Sequence, residues 1–180
     1  ARFVDYGGGY GMFVRLMRDY GFAFYRVDKY CQNLFAKGFD LEDPVRAPLE
    51  LLTAFEVFEH FPNPSAKIDE LLKISSSIFL RTELIPIANP KPEECWYYGL
   101  EHGQHLSLYT LQSLRYLANL YGLNLYTNKR NFHLLTKKKI PELFFRLFCR
   151  HQISSVFNFF NRRTSLIPQD FKSITGKDLT

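Results

Sequence analysis

The 180-residue sequence has only three cysteines, Cys31, Cys95 and Cys149, far apart and odd in number. That excludes a disulfide framework and a CxxC metal site, and makes a reducing, cytoplasmic setting the expectation. No stretch comes near the roughly 18 unbroken apolar residues of a membrane span. The N-terminus has no basic start followed by an apolar run, so no secretory leader is expected. Internal repeats and low-complexity segments are also missing, which excludes a repeat array. What the chain does have is apolar mass. Hydrophobic residues make up 46% and aromatics 17%, with 18 Phe and 11 Tyr. Aromatic side chains dominate buried area, so this is ample material for one well-packed domain and excludes disorder as the overall class.

Charge is unevenly spread. Residues 126–180 carry 11 Lys and Arg against 3 Asp and Glu, while residues 1–125 carry 12 against 15. In the basic third Lys137, Lys138, Lys139, Arg146, Arg150, Arg162 and Arg163 lie among Phe and Leu. Clustered positive charge attracts polyanions, so such a stretch could meet phosphate, nucleic acid or a membrane surface. A solvated helix face explains it more simply, and nucleic acid is not an expected partner.

Apolar periodicity lays out alternating strands and helices. Phe3-Val4 ends at a glycine cluster, and Phe13, Leu16, Met17 and Tyr20 then follow the spacing of one helix face. Strands are predicted at 22–27, 49–55 and 78–84, with a weaker extended segment at 36–41. Helices are predicted at 65–74 and from a Thr110 cap to about Tyr121. Segments 123–127 and 132–136 flank Asn128-Lys129-Arg130-Asn131 as a hairpin. The Pro-, Gly- and aromatic-rich stretch from Asn89 to Gly103 is too long for a plain connection, as functional loops often are. The alternation predicts a Rossmann-like α/β fold, a doubly wound and mostly parallel sheet with an antiparallel C-terminal edge strand.

Ligands of such sheets bind at the carboxyl ends of the strands, near the topological switch. Asp5 to Gly11, Asp28, Phe39, Asp40, Glu56 to His60 and Glu83 all fall at or just past predicted strand ends, so one crevice is expected to gather them. Glycine at 7, 8, 9 and 11 lets a ligand touch backbone where a Cβ would collide. Asp28 follows Gly11 by 17 residues, at the end of the second predicted strand, where an acid can accept hydrogen bonds from both hydroxyls of a ribose.

Phe3-Val4-Asp5-Tyr6-Gly7-Gly8-Gly9-Tyr10-Gly11 resembles the first motif of class I S-adenosylmethionine-dependent methyltransferases, an acid followed by G-x-G-x-G. A dinucleotide fingerprint is spaced G-x-G-x-x-G instead. Glu56-Val57-Phe58-Glu59-His60-Phe61-Pro62-Asn63-Pro64 is similar to the motif after the fourth strand in one branch of that superfamily. The likeness runs from residue 1 to about 136. It implies S-adenosylmethionine as cofactor, held at Asp5, Gly7, Gly9 and Gly11, with Asp28 on the ribose, Phe39 and Asp40 by the adenine, and Phe55 and Glu56 closing the site. Such a fold normally has helices before its first strand, so the expectation is a core at 1–136 lacking them and a basic, aromatic-rich extension at 137–180 packed on or beside it. The segment between Asp40 and Leu49 is too short for a full helix.

Methyl transfer needs mainly alignment, because the sulfonium is already activated. A hydroxyl acceptor would still benefit from a base, and His60 and His105 are the catalytic candidates, with His102 third. No metal is assigned. The alternative is Glu56, Glu59, His60 and His105 around a divalent ion, as the resemblance to small-RNA 2′-O-methyltransferases and ubiquinone-pathway O-methyltransferases implies; oxygen and imidazole ligands suit Mg, Mn or Zn. The plainer reading has Glu59 capping a helix start. Trp96 to His105, aromatic faces beside polar heads, suits a small-molecule or sugar-like acceptor. The expected reaction is methyl transfer to an oxygen, ahead of nitrogen or carbon. Its rivals are an NAD(P)-dependent oxidoreductase and a non-catalytic binding module that keeps the fold.

Overall fold

The computed structural model describes residues 1–46, 49–86, 90–150 and 163–179. Asn89, which opens the long loop, and Arg162 with residues 151–161 of the basic extension lie outside the described residues. Six strands, β1 (Arg2–Tyr6), β2 (Ala23–Val27), β3 (Leu51–Phe55), β4 (Ser77–Arg81), β5 (Asn124–Thr127) and β6 (Phe132–Thr136), form one sheet ordered β2-β1-β3-β4-β6-β5. The first four run parallel, and the C-terminal hairpin supplies the antiparallel edge, with β6 paired to both β4 and β5. The chain leaves β1 for β2 on one side and returns to β3 on the other. That reversal places the topological switch between the carboxyl ends of β1 and β3.

Five helices accompany the sheet among the described residues: α1 (Met12–Asp19), α2 (Pro64–Ile74), α3 (Leu111–Leu120), α4 (Glu142–Phe148) and α5 (Ile167–Thr175). Two of their starts are written locally. Asn63 Oδ1 accepts from the Ala66 N–H at 3.1 Å ahead of Pro64, and Thr110 and Ser113 cap each other's backbone in a capping box. Val4, Leu52, Ala54, Ile78 and Leu80, fully buried, pack with Ile68 and Leu71 of α2 and Leu114 and Leu117 of α3 in the larger core. The intervening residues point the opposite way, as a period of two requires. There Phe13, Phe55, Phe79 and Phe132 make a row with successive ring centroids 5.1, 5.5 and 5.7 Å apart.

The extended segment expected at 36–41 is reduced to a single bridge between Arg26 and Asp40. Asn33 explains why: its side chain both accepts from the Ala36 N–H and donates to the Ala36 carbonyl, folding the preceding residues into a turn. The short connection after Asp40 holds one 3₁₀ turn, Pro44–Arg46, in keeping with a stretch too short for a helix. At the far end, α5 is fastened to α1. The Arg18 guanidinium makes two buried bonds to Asp170, at 2.6 and 2.7 Å, and the Leu166 N–H donates to the Arg18 carbonyl at 3.0 Å. Phe145 of α4 packs on Phe79 and Tyr126 at 6.2 and 6.3 Å between centroids. Among the described residues no helix is long and apolar enough to cross a membrane, and the three cysteines are unpaired.

Candidate functional site

A crevice of about 620 Å³ opens at the switch point. Gly7 and Gly9 from the turn after β1, Asp28 to Cys31 from the end of β2, and Glu56, Val57 and His60 from the end of β3 line it, with Lys67 and Glu70 of α2 as its far wall. A second cavity of about 510 Å³ shares Tyr6, Val27, Asp28, Lys29 and Glu70 with it and extends to Asp40 and Leu41.

The turn after β1 is built by glycine geometry. Gly7 has φ +70°, donates to the Val27 carbonyl at 2.8 Å, and leaves no room for a Cβ, which would lie 2.7 Å from Val57 Cγ2. Gly9 has φ +53°, and a Cβ there would meet nothing within 4 Å. The space above Gly9 is therefore open to a ligand. Asp28 Oδ2 accepts from the Gly9 N–H, and Oδ1 from the Tyr30 and Cys31 N–H groups, each at 2.8 Å. Burial pushes the Asp28 carboxyl up, but these three donors and the Arg26 cation outweigh it and hold it below its ordinary value. A carboxylate offers about four acceptor positions, so about one remains after these three.

Four of the expected donor residues line neither the crevice nor the cavity beside it. Asp5 and Phe55 lie on the α1 side of the sheet by strand alternation: Asp5 is buried and accepts from Thr53 Oγ1 at 2.6 Å, while Phe55 joins the aromatic row. Burial raises the Asp5 carboxyl to about 6. Phe39 sits under the Arg18 guanidinium, 3.7 Å from its ring centre. Gly11 is closed in by Asn33 and Ala36, which a Cβ would meet at 2.6 and 3.2 Å. Gly7, Gly9, Asp28 and Glu56 do line it, and Asp40 borders the adjoining cavity.

Histidines separated by 45 positions meet beside the crevice. The rings of His60 and His105 are 5.2 Å apart, and His102 is 5.2 Å beyond His105. His60 lines the crevice itself, and His105 stands behind it against the Tyr97 ring at 4.7 Å. Nδ1 of His60 lies 2.9 Å from the Gln104 carbonyl, and Nδ1 of His105 lies 2.5 Å from the Tyr97 carbonyl. A carbonyl only accepts, so each Nδ1 donates and each neutral ring keeps a basic lone pair on Nε2.

Glu59 is fully buried, and among the described residues its two oxygens make no hydrogen bond of good geometry, although Glu56 and Tyr97 stand beside them. A buried carboxyl so placed can serve as a cation ligand. Glu59, His60 and His105 each offer one ligand atom within 4.8 Å of the others. Glu56 is not in that group: its carboxylate is drawn to Arg81, and its backbone takes φ +54°, an uncommon value for a residue with a Cβ. Burial and the Glu59 carboxylate beside it raise Glu56 to about 7.

Sequence reasoning missed Lys67, Glu70 and Tyr6. Lys67 Nζ donates to Glu70 Oε2 at 2.6 Å and to the Tyr6 hydroxyl at 3.3 Å, making a polar wall of the crevice. The three-residue spacing of Lys67 and Glu70 on a helix was the available signal. Tyr97, buried with its hydroxyl 2.9 Å from Thr82 Oγ1, was missed as the anchor that holds His105.

A sequence-family profile described as a methyltransferase domain matches residues 1–128. A comparison with curated proteins finds no match. Among solved structures, the chain is similar to CalO1, a methyltransferase in calicheamicin biosynthesis in its SAH-bound form, at 15% identity and TM-score 0.52 over 76% of this chain and 49% of that one. It is similar to an O-methyltransferase family 2 protein from Planctomyces limnophilus in complex with apigenin, at 13% identity and TM-score 0.57 over 76% and 51%. Human N-acetylserotonin methyltransferase in complex with SAM matches at 16% identity and TM-score 0.53 over 77% and 48%. The chain thus spans about half the length of these structures, and at this identity the likeness is one of fold. The profile covers most of the chain and the sheet order carries its crevice at the expected switch point, so the chain belongs to the methyltransferase domain family and has its class I fold.

Proposed function

We propose that this chain transfers a methyl group from S-adenosylmethionine to an oxygen of a small-molecule or sugar-like acceptor. The observation that carries the reading is one crevice lined by both the open Gly9 turn with Asp28 and the catalytic candidate His60. Gly7 and Gly9 give the donor backbone to lie on, the free acceptor position of Asp28 takes a ribose hydroxyl, and the cavity toward Asp40 and Leu41 has room for the base. The acceptor oxygen attacks the methyl carbon as the carbon–sulfur bond breaks. Nε2 of His60 takes the hydroxyl proton, leaving neutral S-adenosylhomocysteine. Alignment of the two reactants supplies most of the acceleration. The SAM, SAH and apigenin named with the similar structures are in keeping with this donor and an acceptor of this size.

Glu59, His60 and His105 favour a second reading, in which they hold a divalent cation. The fit rests on the buried Glu59 carboxyl and on two imidazoles whose Nδ1–H groups are already fixed by carbonyls, leaving Nε2 as ligand. Such an ion would polarise the acceptor oxygen as a Lewis acid.

Calorimetric titration with S-adenosylhomocysteine and, separately, NAD is the first test: binding of the former and not the latter is expected, and the reverse sinks the proposal. With radiolabelled S-adenosylmethionine and a panel of hydroxylated acceptors, His60→Ala is expected to lower turnover far more than it weakens S-adenosylhomocysteine binding, since the lost contact belongs to the transition state. Chelation that abolishes turnover, with recovery on adding back one metal, would select the cation reading.

A further inference from the structure

Arg26 is a buried cation next to the C-terminal end of an otherwise apolar strand, and nothing in the reaction above uses it. Its bonds are unusual in where they go. Nε donates to the Gly9 carbonyl at 2.6 Å, one terminal nitrogen to Asp40 Oδ1 at 2.6 Å, and the other to the Cys31 carbonyl, with Asp28 Oδ1 3.9 Å away. The glycine turn rests on its stem, since a Cβ on Gly8 would come within 3.2 Å of Arg26 Cγ. Its three hydrogen-bond partners belong to three separate segments around the crevice and the cavity beside it: the turn after β1, the turn after β2 and the bridge at Asp40. None belongs to the apolar core that holds the sheet together. A planar fork of five donors in fixed directions suits the tying of three such segments at once.

We propose that Arg26 is a positioning residue for donor binding, locking the Gly9 turn, the Asp28–Cys31 turn and the Asp40 bridge into one preorganised wall. This rests on the donor reading above. Asp28 depends on it twice, because the Gly9 and Cys31 N–H groups that orient the Asp28 carboxylate sit in segments whose carbonyls Arg26 holds. Loss of the guanidinium leaves the strand and its backbone bridge at Asp40 intact but removes the side-chain ties among the three segments, so the donor has more to order on binding.

The test compares the wild type with Arg26→Met, which keeps the stem beneath Gly8, and Arg26→Lys, which keeps the charge but not the fork. Two readouts are needed: the dissociation constant for S-adenosylhomocysteine by calorimetry, and amide exchange of the ligand-free proteins. Arg26→Met is expected to weaken binding 10- to 100-fold and Arg26→Lys to fall between. Exchange is expected to rise at Gly9, Tyr30 and Cys31 in both variants, with Val4, Leu52 and Ile78 unchanged. A role confined to general stability would raise exchange throughout and leave affinity at low temperature unaltered, which would overturn the proposal. Unchanged affinity in variants of a wild type that binds would overturn it as well. If the wild type binds no S-adenosylhomocysteine, the donor reading fails on its own, and unchanged exchange at the three amides would then refute the positioning role separately. Should Arg26→Met not fold, Arg26→Lys carries both readouts.

Discussion

Asp28 is a carboxylate whose position is set before any ligand arrives, with three backbone donors on its two oxygens. Charge-assisted bonds of this kind are worth roughly 1.5–3 kcal/mol each, and tenfold in affinity corresponds to about 1.4 kcal/mol. Asp28→Ala is therefore expected to raise the dissociation constant for S-adenosylhomocysteine by at least about tenfold, read by calorimetry; an unchanged constant would remove Asp28 from the donor site. Asp5 makes a different kind of prediction. Burial lifts its carboxyl from 3.8 to about 6, so between those values the folded protein keeps a proton that the unfolded chain has released. That contribution to stability is complete below about pH 4 and is lost as pH rises through about 6. Asp5→Asn has no such proton and can still accept from Thr53. Relative to the wild type, its stability should improve by roughly 2–3 kcal/mol between pH 4 and pH 7, because each tenfold difference in proton affinity between folded and unfolded chains is worth about 1.4 kcal/mol. Urea unfolding at several pH values would show this, and parallel curves for the two proteins would contradict it.

The turn joining β1 to α1 separates two demands that glycine meets. Gly7 needs both its positive φ and the missing Cβ, whereas Gly9 needs a positive φ but has free space above it. Gly7→Ala is expected to destabilise the fold by pushing on Val57, beyond the roughly 1–2 kcal/mol that a left-handed conformation costs a residue with a Cβ. Gly9→Val is expected to keep the fold while abolishing S-adenosylhomocysteine binding, because its branches fill the donor's space. A Gly9→Val protein that binds normally would show that this turn serves only the path of the chain. The elements themselves were largely legible. Strands β1 to β4, the Thr110 cap and the hairpin follow from alternation, capping chemistry and turn residues, which act over a few neighbouring positions. The 36–41 strand was not legible as a mere bridge, because its apolar residues are spent on packing: Ala36 and Phe39 join the small core against α1.

The molecule as a whole is closed by contacts between distant parts of the chain. We propose that residues 1–136 form the core unit and that 137–180 is an extension held to it, a division in keeping with the buried Arg18–Asp170 pair and with Phe145 on Phe79. Removing one partner of a buried ion pair leaves an uncompensated charge and costs about 3–5 kcal/mol. Asp170→Ala should lower stability by that order, and an Arg18→Met/Asp170→Ala double variant should recover part of it in a double-mutant cycle. Strict additivity of the two substitutions would show that the pair does not couple the segments.

What the sequence determined by itself was whatever short-range chemistry dictates: the strand and helix alternation, the glycine turn, the acid at the end of β2, and hence the family and the place of the crevice. What only the tertiary structure decided was which side chains turn toward that crevice. Strand alternation sends Asp5 and Phe55 to the opposite face, and Arg18 draws Phe39 away. Glu59, His60 and His105 were already grouped from the sequence, but the distances that bring them together, and the reach of Arg26 across three loops, are set by the order in which the sheet assembles. No local pattern encodes those distances, because they are fixed by the pairing of segments dozens of residues apart and by the core packed beneath them.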